Sequence, residues 1–319
     1  MGCPAGIGPE VIVRSLVARP ALEVVVYGDE GVLLRAAARL GLTLSERVTI
    51  APITRLGEDE ALPGEPSERT GQAQLDYLAA AADAVIKGEV GALVTAPISR
   101  EWAARAGQPF ASHMEYLASR VRATECATMQ LGGGLRVTLV TARVPFRQVP
   151  SLLTVQSIAQ TTVLTAKALA NYFGVRLPRV AVAGLNPLAG EGGRLGDEET
   201  HLVLPAVNLA QRLLASSGLA ARVSGPHEPD TIFRQVLLGE HDAVVALYHD
   251  QGQIPIKFLA FEEAVSLTLG LPFVRTSPDH GTAYDIAGSG RANHQGFLAA
   301  LDLACAVAEK SLAVPEAPE

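Results

Sequence analysis

Short runs of small and β-branched apolar residues recur along this chain, each followed by a stretch of helical period. "LEVVVYG" (22–28) reads as a buried strand. "DEGVLLRAAARLG" (29–41) reads as a helix, with Asp29 as its N-cap and Gly41 past its end. A Pro-, Gly- and charge-rich loop covers 53–67, then "TGQAQLDYLAAAADAVIKGE" is a helix and "VGALVTAP" the strand after it. "LRVTLVTA" (135–142), "PRVAVAGLNP" and "HDAVVALY" are further strands. Residues 155–173, "GDEETHLVLPAVNLAQRLLASSG" and 295–309 are helices. The acidic opening of the second of these suits a helix N-terminus. Such alternation predicts an α/β fold with a largely parallel sheet. At 319 residues the chain can build two lobes. Ligands of such sheets gather outside the carboxyl ends of the strands. Polar clusters fall there, after Thr95, Thr141, Gly184 and Tyr248. The tail "VPEAPE" is expected to fray.

A net charge of −7 disfavours a nucleic-acid surface but allows a local basic pocket for an anionic substrate. Three cysteines without CxxC spacing, Cys3, Cys126 and Cys305, argue against disulfides and structural zinc. There is no basic and apolar leader, and no apolar run of about 18 residues. The expectation is a cytoplasmic protein without membrane or nucleic-acid partners.

Four segments carry chemistry. "GCPAGIGPE" (2–10) is a tight turn into a helix, and a plain strand-to-helix turn is the favoured reading over an anion site. "AGLNPLAGEGGRLGDEE" (183–199) is long and Gly-rich, which lets a ligand approach backbone, yet it fits neither dinucleotide nor P-loop spacing. "VVALYHDQGQIPIKF" (244–258) sets His249, Asp250 and Lys257 at the end of a buried strand. "RTSPDHGTAYDIAGSGRANHQGF" (275–297) resembles the adenosine-binding loop of the isocitrate and isopropylmalate dehydrogenase superfamily, H-G-[ST]-A-x-[DE]-I-A-G-x-G-x-A-N.

Within that superfamily the chain resembles the 4-hydroxythreonine-4-phosphate dehydrogenase family over nearly its whole length. The motifs, in order, are "PAGIGPE", "LVTAPI", "SHMEYLA", "GLNPLAGEGG", "PDTIF", "YHDQGQIPIK", "LTLGLPFVRTS" and "DHGTAYDIAG". The resemblance implies a two-domain fold of the isocitrate/isopropylmalate dehydrogenase type. Its NAD-binding lobe would span 1–105 with 250–319, and its substrate and dimerisation lobe 106–249. It implies a homodimer with sites in clefts near the subunit interface. It implies NAD at His280, Gly281, Thr282, Ala283, Asp285 and Asn293, and a phosphorylated hydroxy acid at His113, Lys257 and Arg275. An anion is expected among those last three. Asp230 and Asp250 would line the pocket, and His249 would be one of three metal-ligating histidines.

Two of those three histidines are absent: Arg143 and Leu188 stand in their places. Neither side chain can ligate a cation, so His249 with Asp250 makes a poor zinc site, and no tightly bound divalent metal is expected. Met114 replaces a threonine, Arg100 a lysine, Ser266 an asparagine, and Cys3 the acidic residue of the first motif. The family also has an apolar strand before that motif. The expectation is a misassigned start or a sheet without its first strand. Two functions remain open. One is an NAD-dependent oxidative decarboxylase with Arg143 as a fixed cation in the metal's place. The other is a weakly or non-catalytic relative that binds a phosphorylated ligand or nucleotide. Arg143 could also be a plain surface or ion-paired arginine.

Overall fold

The computed structural model describes residues 1–312, so the tail read as frayed lies outside the described residues. Strands run β1 (Val24–Asp29), β2 (Val48–Thr54), β3 (Ala92–Val94), β4 (Ala127–Gly132), β5 (Leu135–Leu139), β6 (Arg179–Ala183), β7 (Arg222–His227), β8 (Ala243–Ala246), β9 (Val265–Leu269) and β10 (Val274–Pro278). Helices run α1 (Gly8–Ala18), α2 (Glu30–Leu40), α3 (Glu68–Ile86), α4 (Arg100–Arg105), α5 (His113–Val121), α6 (Val149–Leu152), α7 (Val155–Asn171), α8 (Leu204–Ser216), α9 (Ile232–Leu237), α10 (His249–Ala260) and α11 (Gln295–Leu312). The chain divides into two compact units: Met1–Arg122 with Leu271–Ala308, and one built on Ala123–Gly270.

In the first unit β1 pairs with β2 and β3 with β10, both in parallel. Asp29 caps α2 as expected, accepting the Val32 N–H at 3.0 Å, and also takes the Leu56 N–H at 2.7 Å. Gly41 ends α2 at φ 64. The stretch read as loop from 53 begins later than expected, because Ile53 and Thr54 belong to β2. Helix α3 is closed by a reciprocal capping box between Ser67 and Thr70. Val11, Leu16, Leu33, Ala36, Phe297 and Leu301 form the core.

The second unit holds a sheet in the order β9-β4-β5-β8-β6-β7. The pairs β5/β8, β8/β6 and β6/β7 are parallel, and β4 is antiparallel to both β5 and β9. Gly133 and Gly134, both at positive φ, make the two-residue turn from β4 to β5. Along β8, Val245 packs into a cluster with Ile158, Leu169, Val182 and Leu214, while Val244 packs into a second with Val137, Ala181, Ile232 and Ile256. Burial on both faces is why this strand reads as an unbroken apolar run. The mixed α/β architecture with a mainly parallel sheet is thus borne out.

Candidate active site

Three neighbouring parallel strands of the second unit end at one edge. Thr141, just past β5, gives its N–H and its hydroxyl to the Leu247 carbonyl, at 3.2 and 2.8 Å. That bond fixes the end of β5 against the end of β8, and the chain then turns off at Arg143. Arg143 is exposed and has φ 54. From β6 the chain enters the Gly-rich segment, where Leu188, Ala189 and Glu191 have φ 54, 49 and 45. Left-handed backbone costs an L-residue about 1–2 kcal/mol. The positions where the resemblance implies two metal histidines are therefore strained here, with an arginine and a leucine in them.

Glu199 holds this segment in place. Its buried carboxylate accepts the N–H groups of Leu185 and Asn186 at 2.8 and 2.7 Å and the Asn186 amide at 3.0 Å. A Cβ at Gly190 would stand 2.7 Å from Glu199 Oε2, so only glycine fits. The sequence reading gave the acidic residues here to the helix N-terminus, and Glu199 corrects it. Its charge serves the loop, and the chain passes through a π-helical turn, Glu199–Val203, before α8.

Helix α10 starts at His249. Gln251 ties it down, accepting the Leu247 N–H and donating to the Gly184 carbonyl, both at 2.7 Å. His249 Nδ1 lies 2.7 Å from Asp250 Oδ1. With Asp250 ionised, Nδ1–H is the donor and the lone pair of the ring sits on Nε2. Lys257 lies two turns along the helix, with Nζ 5.3 Å from the Phe261 ring. Asp230 is exposed beyond β7. Among the described residues no group of three or more His, Cys, Asp or Glu side chains is placed to hold a metal ion. The donor chemistry at 143, 188 and 249 does not fit one either.

The first unit carries the remaining residues. Arg275 lies in β10, 4% exposed, and its Nε and Nη2 donate to Thr95 Oγ1 at 3.2 and 2.5 Å. Thr95 was marked from sequence only as a strand end. His113 opens α5, which Ser112 caps, and its ring meets Phe110 edge-on at 5.2 Å.

The loop from Asp279 onward is tied to the turn before α1. The Ile7 N–H donates to the Thr282 carbonyl at 3.0 Å, and a Cβ on Gly6 would come within 2.9 Å of that oxygen. Ala283 follows at φ 42. His280 Nδ1 lies 3.1 Å from the Gly281 carbonyl, and a Cβ at Gly281 would meet nothing within 4 Å. The backbone there faces open space. Asp285 is exposed. Asn293 has a local task that the motif did not disclose, because its Oδ1 accepts the Gln295 N–H at 3.0 Å at the start of α11.

The family model described as "Pyridoxal phosphate biosynthetic protein PdxA" matches residues 21–304. A 4-hydroxythreonine-4-phosphate dehydrogenase of Desulfosudis oleivorans is 44% identical over 95% of this chain and 93% of its own. One of Desulforapulum autotrophicum is 41% identical over the same shares. The crystal structure of the Klebsiella pneumoniae 4-hydroxythreonine-4-phosphate dehydrogenase superposes with a TM-score of 0.84 at 36% identity, covering 97% of this chain and 98% of that one.

Proposed function

The chain belongs to the PdxA family, and from that premise we propose that it is an NAD-dependent dehydrogenase of 4-hydroxythreonine 4-phosphate or a close phosphorylated hydroxy acid. The observation that carries the reading is the near full-length likeness to enzymes of that name. NAD, when bound, accepts the hydride that leaves the substrate's carbinol carbon. The loop with His280, Gly281, Thr282, Ala283, Asp285 and Asn293 would hold its adenosine part. His113, Lys257 and Arg275 would bind the phosphate and the carboxylate through charged hydrogen bonds.

The hydroxyl proton needs an acceptor. His249 Nε2, with Nδ1 oriented by Asp250, is suited to take it. Asp230 would line the same pocket. Oxidation leaves a β-keto acid, which loses carbon dioxide as the pair of the breaking C–C bond forms a C=C bond and the carbonyl π pair moves onto the keto oxygen, giving an enolate that is then protonated. Arg143, which stands where the resemblance implies a metal histidine, is the cation we assign to that developing oxyanion. Addition of 4-hydroxythreonine 4-phosphate to protein and NAD, freed of metal by a chelator, should produce NADH absorbance. Turnover that stops with chelation and returns with zinc overturns the arginine assignment. NADH formation absent under all conditions favours the second reading, a relative that binds a phosphorylated ligand without turnover. The departures at Arg143 and Leu188 are what favour that alternative.

The oligomer belongs to the same proposal. Ile254, Phe258 and Phe261, spaced i, i+4 and i+7 along and just past α10, are 67%, 88% and 75% exposed in the single chain. So apolar a stripe asks for cover, and a second copy of this chain is the occupant we propose. Light scattering that reports a monomer would remove it. Among the described residues no helix is long and apolar enough to cross a membrane, and a cytoplasmic location is part of the proposal.

A further inference from the structure

Cys3 is fully buried, and the Tyr284 hydroxyl donates to its Sγ at 3.3 Å. The nearby Gly6 N–H is given to the Cys3 carbonyl at 3.1 Å and the Thr70 hydroxyl to the Ser67 carbonyl at 2.9 Å, so Tyr284 is the donor placed on the thiol. An acidic residue is what the first motif of the resembling family carries here. In this chain a thiol stands there, and burial pushes its pKa up, so it is the neutral thiol that accepts.

Tyr284 sits in the loop assigned to NAD, at the first of three positions that the adenosine-loop pattern leaves open. Its hydroxyl meets Cys3 of the first turn, Ser99 at the cap of α4, and Thr282 of its own loop. Ser99 in turn exchanges two hydrogen bonds of 2.9 Å with the buried Gln74 of α3. Next to Tyr284, Ala283 is left-handed at φ 42. A strained alanine persists only when its neighbours are held. Here they are held on both sides, by the Ile7 N–H on the Thr282 carbonyl and by the Tyr284 hydroxyl on Cys3.

We infer that Cys3 and Tyr284 are a positioning pair that fixes the loop 280–293 in the shape that receives the dinucleotide. The inference rests on the reading of that loop as the NAD site. Neither residue touches NAD in this scheme, and their effect is on its affinity. Losing the bond lets Ala283 relax and the loop leave its bound shape, and that lowers affinity by the fraction of chains displaced.

The experiment titrates the full-length protein with NAD by calorimetry, with steady-state kinetics and hydrogen exchange over 280–293 alongside. Tyr284→Phe and Cys3→Ala should each weaken NAD binding roughly tenfold, the scale of one buried hydrogen bond. The rise should fall on the KM for NAD, leaving kcat and the KM for the phosphorylated substrate within about twofold. Exchange over 280–293 should quicken before any NAD is added. Cys3→Ser, which keeps an acceptor, should restore affinity, and so should Cys3→Asp. A wild type that binds while Tyr284→Phe and Cys3→Ala bind equally well overturns this inference alone. A wild type without NAD affinity overturns both it and the reading of the loop. Variants in which both KM values rise while kcat and melting temperature fall show a merely structural pair, and overturn it as well.

Discussion

Two regions of the molecule keep strained backbone, and they keep it differently. In the first unit Ala283 is held from both sides by bonds to buried groups, beside a motif that is intact. In the second unit Arg143 and Leu188 are exposed and left-handed, at positions where the resembling family has ligands and this chain does not. Strain at a functional site persists because its surroundings over-determine it. Near Leu188 the surroundings remain, in Glu199 and the fixed glycines, although the side chain that would use them has changed. The lesson is that clamped, left-handed backbone occurs with and without a match in the side chains it carries. The loop proposed for NAD has both the strain and the matching pattern. The strand-end region has the strain, with an arginine and a leucine where the resemblance implies histidines.

The largest effect that could break the comparison lies at Arg143. If its guanidinium has taken over the metal's work, Arg143→Ala should lower kcat by about 10²–10³, the scale for removing one oxyanion donor. NAD affinity should not move. An unchanged kcat would mean that Arg143 has not taken over the metal's work. Glu199→Ala comes next. It leaves the part-buried N–H groups of Leu185 and Asn186 without their acceptor, at about 1–3 kcal/mol apiece and not fully additive, while the Asn186 amide keeps Glu198. Chemical denaturation should show a loss of roughly 2–4 kcal/mol on that scale. A loss below about 1 kcal/mol would show that the loop stands without its clamp.

How much of this could be read from sequence differs between the regions. The alternation of β-branched runs and helical period disclosed the α/β class, because β6 and β8 are buried on both faces. Strand β4, "ATMQLG", has few β-branched residues and went unread, although the Gly-Gly step after it is a hairpin signal. Strand β7 was hidden by its internal Gly-Pro, and the exposed β2 by Pro52. In the proposed site, motif order pointed to His249, the Gly-rich segment and the loop proposed for NAD. Glu199 looked like any acidic residue at a helix start, and no composition rule marks one that reaches back to a preceding loop. Tyr284 stands at one of the three variable positions of its pattern. The positive φ of Arg143 and Leu188 could not be foreseen, because neither residue type signals left-handed backbone.

Acid separates the two units more gently. Burial lowers the pKa of His227 and His241, with the facing imidazole adding to the effect on His227, and with Arg179 adding to that on His241 against Glu240 and Asp242. In the first unit His294 is lowered by burial and by Arg14. A histidine lowered by folding binds its proton more readily when unfolded. Its stabilising effect is complete above the unfolded value of about 6.5 and is lost as pH falls below it. Melting temperature should therefore drop between about pH 7 and pH 5. His227→Gln with His241→Gln should flatten that drop more than His294→Gln does, and equal flattening would erase this difference between the units.

The smallest effect is the sharpest comparison, because it makes the same change at both strained sites. Glycine adopts φ 54 or φ 42 without the Cβ penalty, while the unfolded chain gains freedom worth about 0.5–1 kcal/mol against it. The relief of about 1–2 kcal/mol leaves a small net gain. Leu188→Gly should then raise the melting temperature slightly, by about 1–4 °C, and leave NAD affinity and kcat where they were. Its side chain is half exposed and carries no group the reaction needs. Ala283→Gly should be no less stable, yet it should bind NAD more weakly, because a glycine there lets the loop explore shapes that the strained alanine forbids. If Leu188→Gly instead slows turnover, the leucine shapes the pocket, and the second region has kept more than geometry. If Ala283→Gly leaves NAD affinity unchanged, the first region's strain is as idle as the second's, and the contrast between the two regions disappears.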